Sequence, residues 1–350
     1  MISYDIIEHG RPLQKVIKEA PKPTGTEVLV RITRSGVCHS DLHIWDGYFE
    51  LGGGKRFYVK DRGCVPPFTL GHEPFGVVEA LGPRAKGARI GQKRIVFPWI
   101  GCGKCAMCKD EKDNMCTAMR TIGVVRPGAY SSHLIVPHPK YLVDASGVDE
   151  SFAATLACSG VTAYSAACKL PALTPRDAVA VIGCGGVGLA TIAVLRARGV
   201  RNIIACDVDE AKLATAKKFG AKLTLDSRAP DAVQKLQALA KGNLAGVIDL
   251  VGMPATAALG LGALRKGGRF VLCGLFGGEL VLPLPSIPFR ALSIAGSYVG
   301  NLQELKEVVA LAKKKKLKPI PFATRPASDV NAILEDLKAG KVLGRVVLSF

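Results

Sequence analysis

The chain has 350 residues, 48% hydrophobic and 22% charged, and carries a formal net charge of +18. That length points to about two domains of ordinary size, and the apolar content excludes a disordered or fibrous chain. The excess of positive charge raises nucleic acid, a membrane surface or an anionic small molecule as partners.

The opening stretch "MISYDIIEHGRPLQ" is polar and lacks a leader pattern, so it reads as the start of the fold. The first 150 residues are rich in Gly, Pro and β-formers, and short alternating pieces such as "EVLVRIT" and "FGVVEAL" predict a β-rich domain with long loops. Inside it, "CGKCAMCKDEKDNMC" places Cys102, Cys105, Cys108 and Cys116 at C-x2-C-x2-C-x7-C spacing. Four thiolates so close in sequence satisfy a tetrahedral zinc and leave no position for a substrate, which makes this a structural site. An iron–sulfur cluster and free surface thiols are the alternatives. A nucleic-acid-binding zinc ribbon is disfavoured, because Lys104, Lys109 and Lys112 are interleaved with Asp110, Glu111 and Asp113. The total of eleven cysteines is odd and suits thiols or metal ligands in a reducing compartment better than disulfides.

Near residue 175 the pattern changes to apolar strand-like runs alternating with amphipathic helical runs, as in a parallel sheet covered by helices. With "AGVIDLV", "GGRFVLCG" and "LSIAGS" there are about six strand candidates, the complement of a doubly wound nucleotide-binding sheet. "AVAVIGCGGVGLATIAVL" sets Gly183, Gly185 and Gly188 as G-x-G-x-x-G between strand and helix, with Gly186 and Val187 completing the loop. Gly183 makes the tight turn, Gly185 lets the backbone approach a pyrophosphate, and Gly188 lets the helix pack on the strand. The next strand, "NIIAC", leads to Asp207, 24 residues after Gly183, where a carboxylate would accept hydrogen bonds from ribose hydroxyls. Asp207 repels a 2′-phosphate and Val208 offers no cation for one, so NAD is expected rather than NADP. The stretch 178–195 is the most apolar, and its glycine loop keeps it from membrane-spanning length. A cytoplasmic protein is expected, with a small-molecule substrate and no nucleic-acid or membrane partner.

The last fifty residues return to helix, loop and a final strand, "GRVVLSF". The dense run "KKKK" at 313–316 closes the helical pattern "LQELKEVVALAKKKK", where cations suit the negative end of the helix dipole. It reads as a solvated helix end, with an anion or partner contact as the alternative.

"GVCHSDLHIWDG", "GHEPFGVV", the cysteine cluster, "LACSGVTAY", "VIGCGGVG" and "GSYVGNLQEL" occur in an order that resembles the zinc-containing medium-chain alcohol dehydrogenases, most closely their yeast and bacterial tetrameric branch. The resemblance covers essentially the whole chain. It implies an α/β fold in which a β-rich GroES-like catalytic domain over residues 1–160, with a structural zinc lobe at 98–118, precedes a Rossmann doubly wound parallel sheet over 161–298. Residues 299–350 would then return to the catalytic domain. It further implies a homotetramer, or a dimer, with two zinc ions and one NAD per chain.

Carried over position by position, the resemblance implies Cys38, His72 and Cys158 as catalytic zinc ligands. Glu73 would stand beside the metal, and Asp41 would orient His72 through its other ring nitrogen. Ser40 would take the alcohol proton and pass it through the nicotinamide ribose to His43. His39 and Arg345 match pyrophosphate contacts, Thr162 a position near the nicotinamide, and Lys212 a ribose contact. Zinc lowers the pKa of an alcohol, which prepares its carbon for hydride transfer to NAD.

Phe49, Phe97 and Trp99 are the pocket candidates, all apolar, and Lys55, Arg56 and Lys60 suggest a positive rim. The segment between Cys38 and His72 is longer than in most relatives and is expected near the active-site mouth or at a subunit contact. "DGYFELGGGKR", "PWIGCGKC" and "VPHPKYLVD" resemble bacterial 6-hydroxyhexanoate dehydrogenases, which implies a medium-chain primary alcohol or ω-hydroxy acid as substrate. Secondary or cyclic alcohols, polyols and hydroxyacyl-CoA remain the alternatives within the superfamily, and a zinc-stapled protein without catalysis is the alternative outside it.

Overall fold

The computed structural model describes residues 1–350 and contains two large sheets. The first has seven strands and is organised around Val28–Val37, which pairs antiparallel with Pro74–Leu81 and with His133–Val136. Farther along the edge that His133–Val136 occupies, Val28–Val37 pairs antiparallel with Arg345–Ser349, so the end of the chain is a neighbour of the strand that leads to Cys38. Phe322–Pro326 extends the sheet in parallel. This long-range pairing returns Arg345 to the first half of the molecule.

The second sheet has six parallel strands in the spatial order Leu223–Asp226, Asn202–Asp207, Ala178–Ile182, Leu244–Asp249, Arg269–Leu272 and Ser293–Gly296. Every residue of Ala178–Ile182 and Leu244–Asp249 is buried, as expected where helices cover both faces of a parallel sheet. The strand order reverses between those two strands. Their carboxyl ends open the crevice in which doubly wound folds bind ligands.

One apolar core runs through both sheets, joining Val30, Trp99 and Cys158 to Val179, Ile192 and Leu305. Lys313, at the end of helix Leu302–Lys313, reaches back to Asp144 at 2.6 Å. The lysine run is therefore a helix end whose first member is paired.

The long segment after Cys38 forms a β-hairpin, Tyr48–Gly52 with Lys55–Tyr58, followed by a 3₁₀ turn at Val59–Arg62. Gly52 has φ +102° and packs so closely that a Cβ there would come 2.6 Å from Glu279 Cγ. A Cβ on Gly277 would overlap the carbonyl of Glu50. The hairpin therefore lies against the loop that follows Arg269–Leu272, and it bridges the two sheets beside the crevice.

Candidate active site

Three separate pieces of backbone deliver the buried cluster Cys38, His72, Glu73 and Cys158, whose ligand atoms lie within 4.8 Å of one another. Cys38 ends the strand Val28–Val37 and caps the helix His39–Asp46, its N–H donating to Asp41 Oδ2 at 2.9 Å. His72 and Glu73 immediately precede Pro74–Leu81, and Gly36 across the ladder has no side chain because a Cβ would overlap the Glu73 carboxylate. Cys158 sits in the π-helical turn Leu156–Gly160 between two α-helices, a widened turn that recurs at functional sites.

Asp41 organises this cluster. Its fully buried carboxylate accepts from His72 Nδ1, from the Cys38 N–H and from the Tyr130 hydroxyl, each at 2.9 Å. With Nδ1 donating to Asp41, the lone pair of His72 is on Nε2, toward the thiols. That nitrogen is buried and has no hydrogen-bond partner in the protein. A buried unpaired imidazole nitrogen beside two thiols fits a metal ion, and N and S donors suit zinc.

Glu73 Oε1 is engaged on two sides, accepting from the Arg345 guanidinium and from the Ser159 N–H at 3.3 Å. Burial pushes the Glu73 carboxyl up to about 7, against the pull of Arg345. Arg345 also touches the glycine loop, since a Cβ on Gly186 would overlap its side chain. One arginine side chain thus joins the thiol cluster, through its guanidinium, to the nucleotide crevice, through its aliphatic stem.

The loop itself separates glycines required by protein sterics from one that is not. Gly183 has φ +90°, and a Cβ on Gly188 would overlap the Gly183 carbonyl. A Cβ on Gly185 would meet nothing within 4 Å, so the open space there belongs to something outside the chain. That is the cradle a pyrophosphate needs, with Val187 in the first turn of helix Gly186–Ala197. Asp207 accepts from the N–H groups of Cys184, Val208 and Asp209 at 2.6, 2.8 and 3.0 Å. Its carboxylate is thereby locked at the mouth of the loop, with one of about four lone-pair sites left for a ribose. Lys212 is half-buried, 4.0 Å from Asp209, and Thr162 is half-buried on helix Val161–Cys168.

His39 and His43 lie on one helix face, with ring centroids 5.6 Å apart. The His39 ring lies 4.7 Å from Phe276, and His43 stacks on Phe49 at 4.6 Å. Burial lowers the basicity of both, and each is lowered further by neighbouring positive charge. Ser40 is half-buried on the same helix, three residues before His43.

The aromatic expectations divide. Trp99 lies 5.4 Å from the His72 ring, held by its Nε1–H donating to the Ala157 carbonyl at 3.0 Å. Phe49 reaches the site through His43. Phe97 does not: it is fully buried and stacks on Tyr141 in the core, so it offers no surface to a substrate. The positive rim is also smaller than expected, because Arg56 pairs with Glu50 at 2.9 Å and lies over the Tyr48 ring, while Lys60 lies over Tyr58.

Three further residues were missed by sequence reasoning. Tyr130 had no local signal. Tyr298 stands 6.1 Å from Trp99; burial and the nearby Cys158 push its phenol up, and the charge of Arg62 acts in the opposite sense. Arg62 itself lies over Phe57 at the base of the hairpin and makes no ion pair within 4 Å.

The second group, Cys102, Cys105, Cys108 and Cys116, also has its sulfurs within 4.8 Å. Cys105 Sγ is 3.5 Å from Cys108 Sγ and 3.7 Å from Cys116 Sγ. Four thiols converge there with no other donor among them, which is the geometry of a closed tetrahedral site.

Comparison with known proteins agrees with this geometry. Residues 24–146 match the alcohol dehydrogenase GroES-like domain, and residues 186–314 match the zinc-binding dehydrogenase domain. The chain is 36% identical to an NAD-dependent alcohol dehydrogenase of Sulfurisphaera tokodaii, over 99% of both chains. Among solved structures it is similar to the alcohol dehydrogenase of Aeropyrum pernix, at TM-score 0.90 and 30% identity over 100% of both chains. It is also similar to a D-arabinose dehydrogenase of Sulfolobus solfataricus, at TM-score 0.81 and 27% identity over 96% of both.

Proposed function

Because the chain belongs to the zinc-containing medium-chain alcohol dehydrogenase family and is an NAD-dependent alcohol dehydrogenase, we propose that the cluster of Cys38, His72 and Cys158 holds its catalytic zinc. The observation that carries this is the unpaired, buried Nε2 of His72 beside the two thiols. Cys102, Cys105, Cys108 and Cys116 hold a second, structural zinc. When bound, zinc supplies Lewis acidity toward an alcohol oxygen and NAD supplies the hydride acceptor.

The chain's own residues do the rest. Asp41 fixes the His72 ring and its tautomer. Ser40 accepts the alcohol proton, and His43, neutral at pH 7 because burial lowers its basicity, receives it at the half-exposed face of the helix. Arg345 neutralises Glu73 beside the thiols, and with His39, Lys212 and Thr162 it lines the cofactor crevice. Gly183, Gly185 and Gly188 give the pyrophosphate its approach, and Asp207 selects NAD.

The substrate is a medium-chain primary alcohol, with an ω-hydroxy acid such as 6-hydroxyhexanoate favoured. Supporting this are the apolar walls, Phe49, Trp99 and Tyr298, and the unpaired Arg62 that could meet a distal carboxylate. A sugar would need several polar partners in place of those rings. Steady-state rates with NAD across 1-hexanol, 6-hydroxyhexanoate, ethanol, diols and D-arabinose test the reading. Raising ionic strength should lower kcat/KM for the hydroxy acid more than for 1-hexanol, because only the acid is steered by charge. Preference for ethanol or arabinose, or equal salt responses, would remove the ω-hydroxy acid.

The assembly is a homotetramer or dimer. In support, Val281, Leu284, Phe289 and Ile294 are exposed on and before the unpaired edge strand Ser293–Gly296. Sedimentation of a monomer at micromolar concentration would refute it.

A further inference from the structure

A polar cavity opens against the structural cysteine cluster, with Gly101, Cys102 and Gly103 in its wall, and nothing in the oxidation chemistry uses it. Its volume is about 240 Å³, and its lining includes Arg120, Arg126, His138 and Lys140, with no carboxylate among the lining residues. None of these four side chains forms an ion pair within 4 Å or donates a side-chain hydrogen bond, although the Lys140 ammonium lies 4.7 Å over the Tyr141 ring. The half-buried Arg126 guanidinium therefore has no protein partner for its five N–H donors and stays open to an anion from solvent. Glu27 is the carboxylate whose charge reaches Arg126, and it is already engaged by the N–H and hydroxyl of Thr24 at 3.0 and 2.8 Å. His138 Nδ1 accepts from the Lys140 N–H at 3.0 Å, which leaves Nε2–H as the ring's donor.

We propose that this cavity is a binding site for a phosphate-class dianion, held by Arg126 with Arg120, Lys140 and His138. Guanidinium forks match the oxygens of a phosphate, and the surrounding cations supply the charge that one arginine cannot. The volume lies below the roughly 300 Å³ at which pockets for drug-sized ligands begin. Inorganic phosphate or a small phosphate monoester fits it; a dinucleotide does not. Burial and the charge of Arg120 both depress Arg126, as expected of a cation site lacking its counter-ion. Arg120 follows the cysteine lobe, with its N–H bonded to the Ile100 carbonyl at 2.7 Å, whereas Lys140 belongs to the turn Pro139–Tyr141. An anion held between them would clamp the lobe to the body of the catalytic half.

The test is titration of the zinc-loaded enzyme with inorganic phosphate, and separately with glycerol 3-phosphate, against potassium chloride at matched ionic strength. Binding is read by calorimetry and by the thermal midpoint. Phosphate should bind saturably and raise the midpoint where chloride does not. Arg126→Gln should weaken binding about tenfold or more, the loss expected for a charged hydrogen bond. The double variant Arg120→Gln, Lys140→Gln alters only exposed side chains and should weaken binding similarly, with alcohol oxidation unchanged. It carries the test if Arg126→Gln misfolds. Tighter binding of the monoester than of phosphate assigns the site to a small phosphorylated compound, and the reverse assigns it to the free ion. Equal responses of wild type and double variant, or equal effects of phosphate and chloride, overturn the proposal.

Discussion

Asp41 shows how much one buried carboxylate can organise. Its two oxygens cap the helix at the Cys38 N–H, orient His72 and hold the Tyr130 hydroxyl. Asp41→Asn keeps the shape but turns half of the acceptor into a donor, so the His72 tautomer is no longer enforced. Zinc affinity should fall about 10–100-fold, measured by competition with a chelator. Affinity unchanged from wild type would mean that the ring is oriented by packing alone. His43 makes a separate prediction through its titration. Burial and then His39 hold its basicity below the usual histidine value, so it is neutral at pH 7 and gains a proton only as pH falls through that lowered value. Alcohol oxidation should therefore decline on the acid side. His43→Gln should depress it chiefly at low pH, where other bases are scarce, with partial rescue by small buffer bases. An unchanged pH–rate profile would remove His43 from the proton path. Of these residues, Asp41 and His43 were legible through the "GVCHSDLH" motif. Tyr130 was not, because an isolated tyrosine says nothing about which carboxylate, far away in sequence, it will meet.

At the scale of elements, the strand–loop–helix unit around Gly183 was the most legible part, since its glycine spacing is demanded by backbone contacts within a short stretch. The overlap that a Cβ on Gly188 would make with Gly183 is such a contact. The position of Asp207 at the end of the second strand was legible, but its three backbone donors were not. They make it a clamp on the loop, beside the cofactor-selecting role proposed for it. Replacing Asp207 by Ser and Val208 by Arg should shift preference toward NADP, by removing repulsion and adding a phosphate partner. The same variant should lose some thermal stability, because the Cys184 N–H is left unpaired. If wild type already uses NADP as efficiently as NAD, the selector role fails. Phe97 and Trp99 mark the opposite limit. One extended stretch carries both, yet Phe97 continues the pairing with Tyr141, its N–H donating to that carbonyl at 2.8 Å, and is drawn into the core. Trp99, two residues on, reaches the thiol cluster. Two large aromatics beside one proline are indistinguishable until the strand pairing is known. The hairpin at 48–58 was expected only as a longer connection, and its contact with the 277–279 loop depends on two segments more than 200 residues apart in sequence.

For the whole molecule, the change from β-rich pieces to alternating strand and helix near residue 175 marked the parallel sheet, because fully buried strands read as continuous apolar runs. The pairing of Arg345–Ser349 with Val28–Val37 was not legible, since pairing across 300 residues leaves no local trace; the resemblance implied only that residues 299–350 return to the catalytic domain. That return brings Arg345 to Glu73 and so joins the two halves at the reactive cluster. The two clusters of ligand atoms underlie the proposed division of labour, in which an open site at Cys38, His72 and Cys158 does the chemistry and a closed site at Cys102, Cys105, Cys108 and Cys116 holds the lobe. The most direct measurement is zinc per chain in wild type, Cys38→Ser and Cys105→Ser, determined with turnover and circular dichroism on the same samples. Two zinc ions in the wild type are expected, about one in a folded but inactive Cys38→Ser, and a damaged fold or assembly in Cys105→Ser. One zinc per chain in fully active wild-type enzyme, or an active Cys38→Ser, would contradict it.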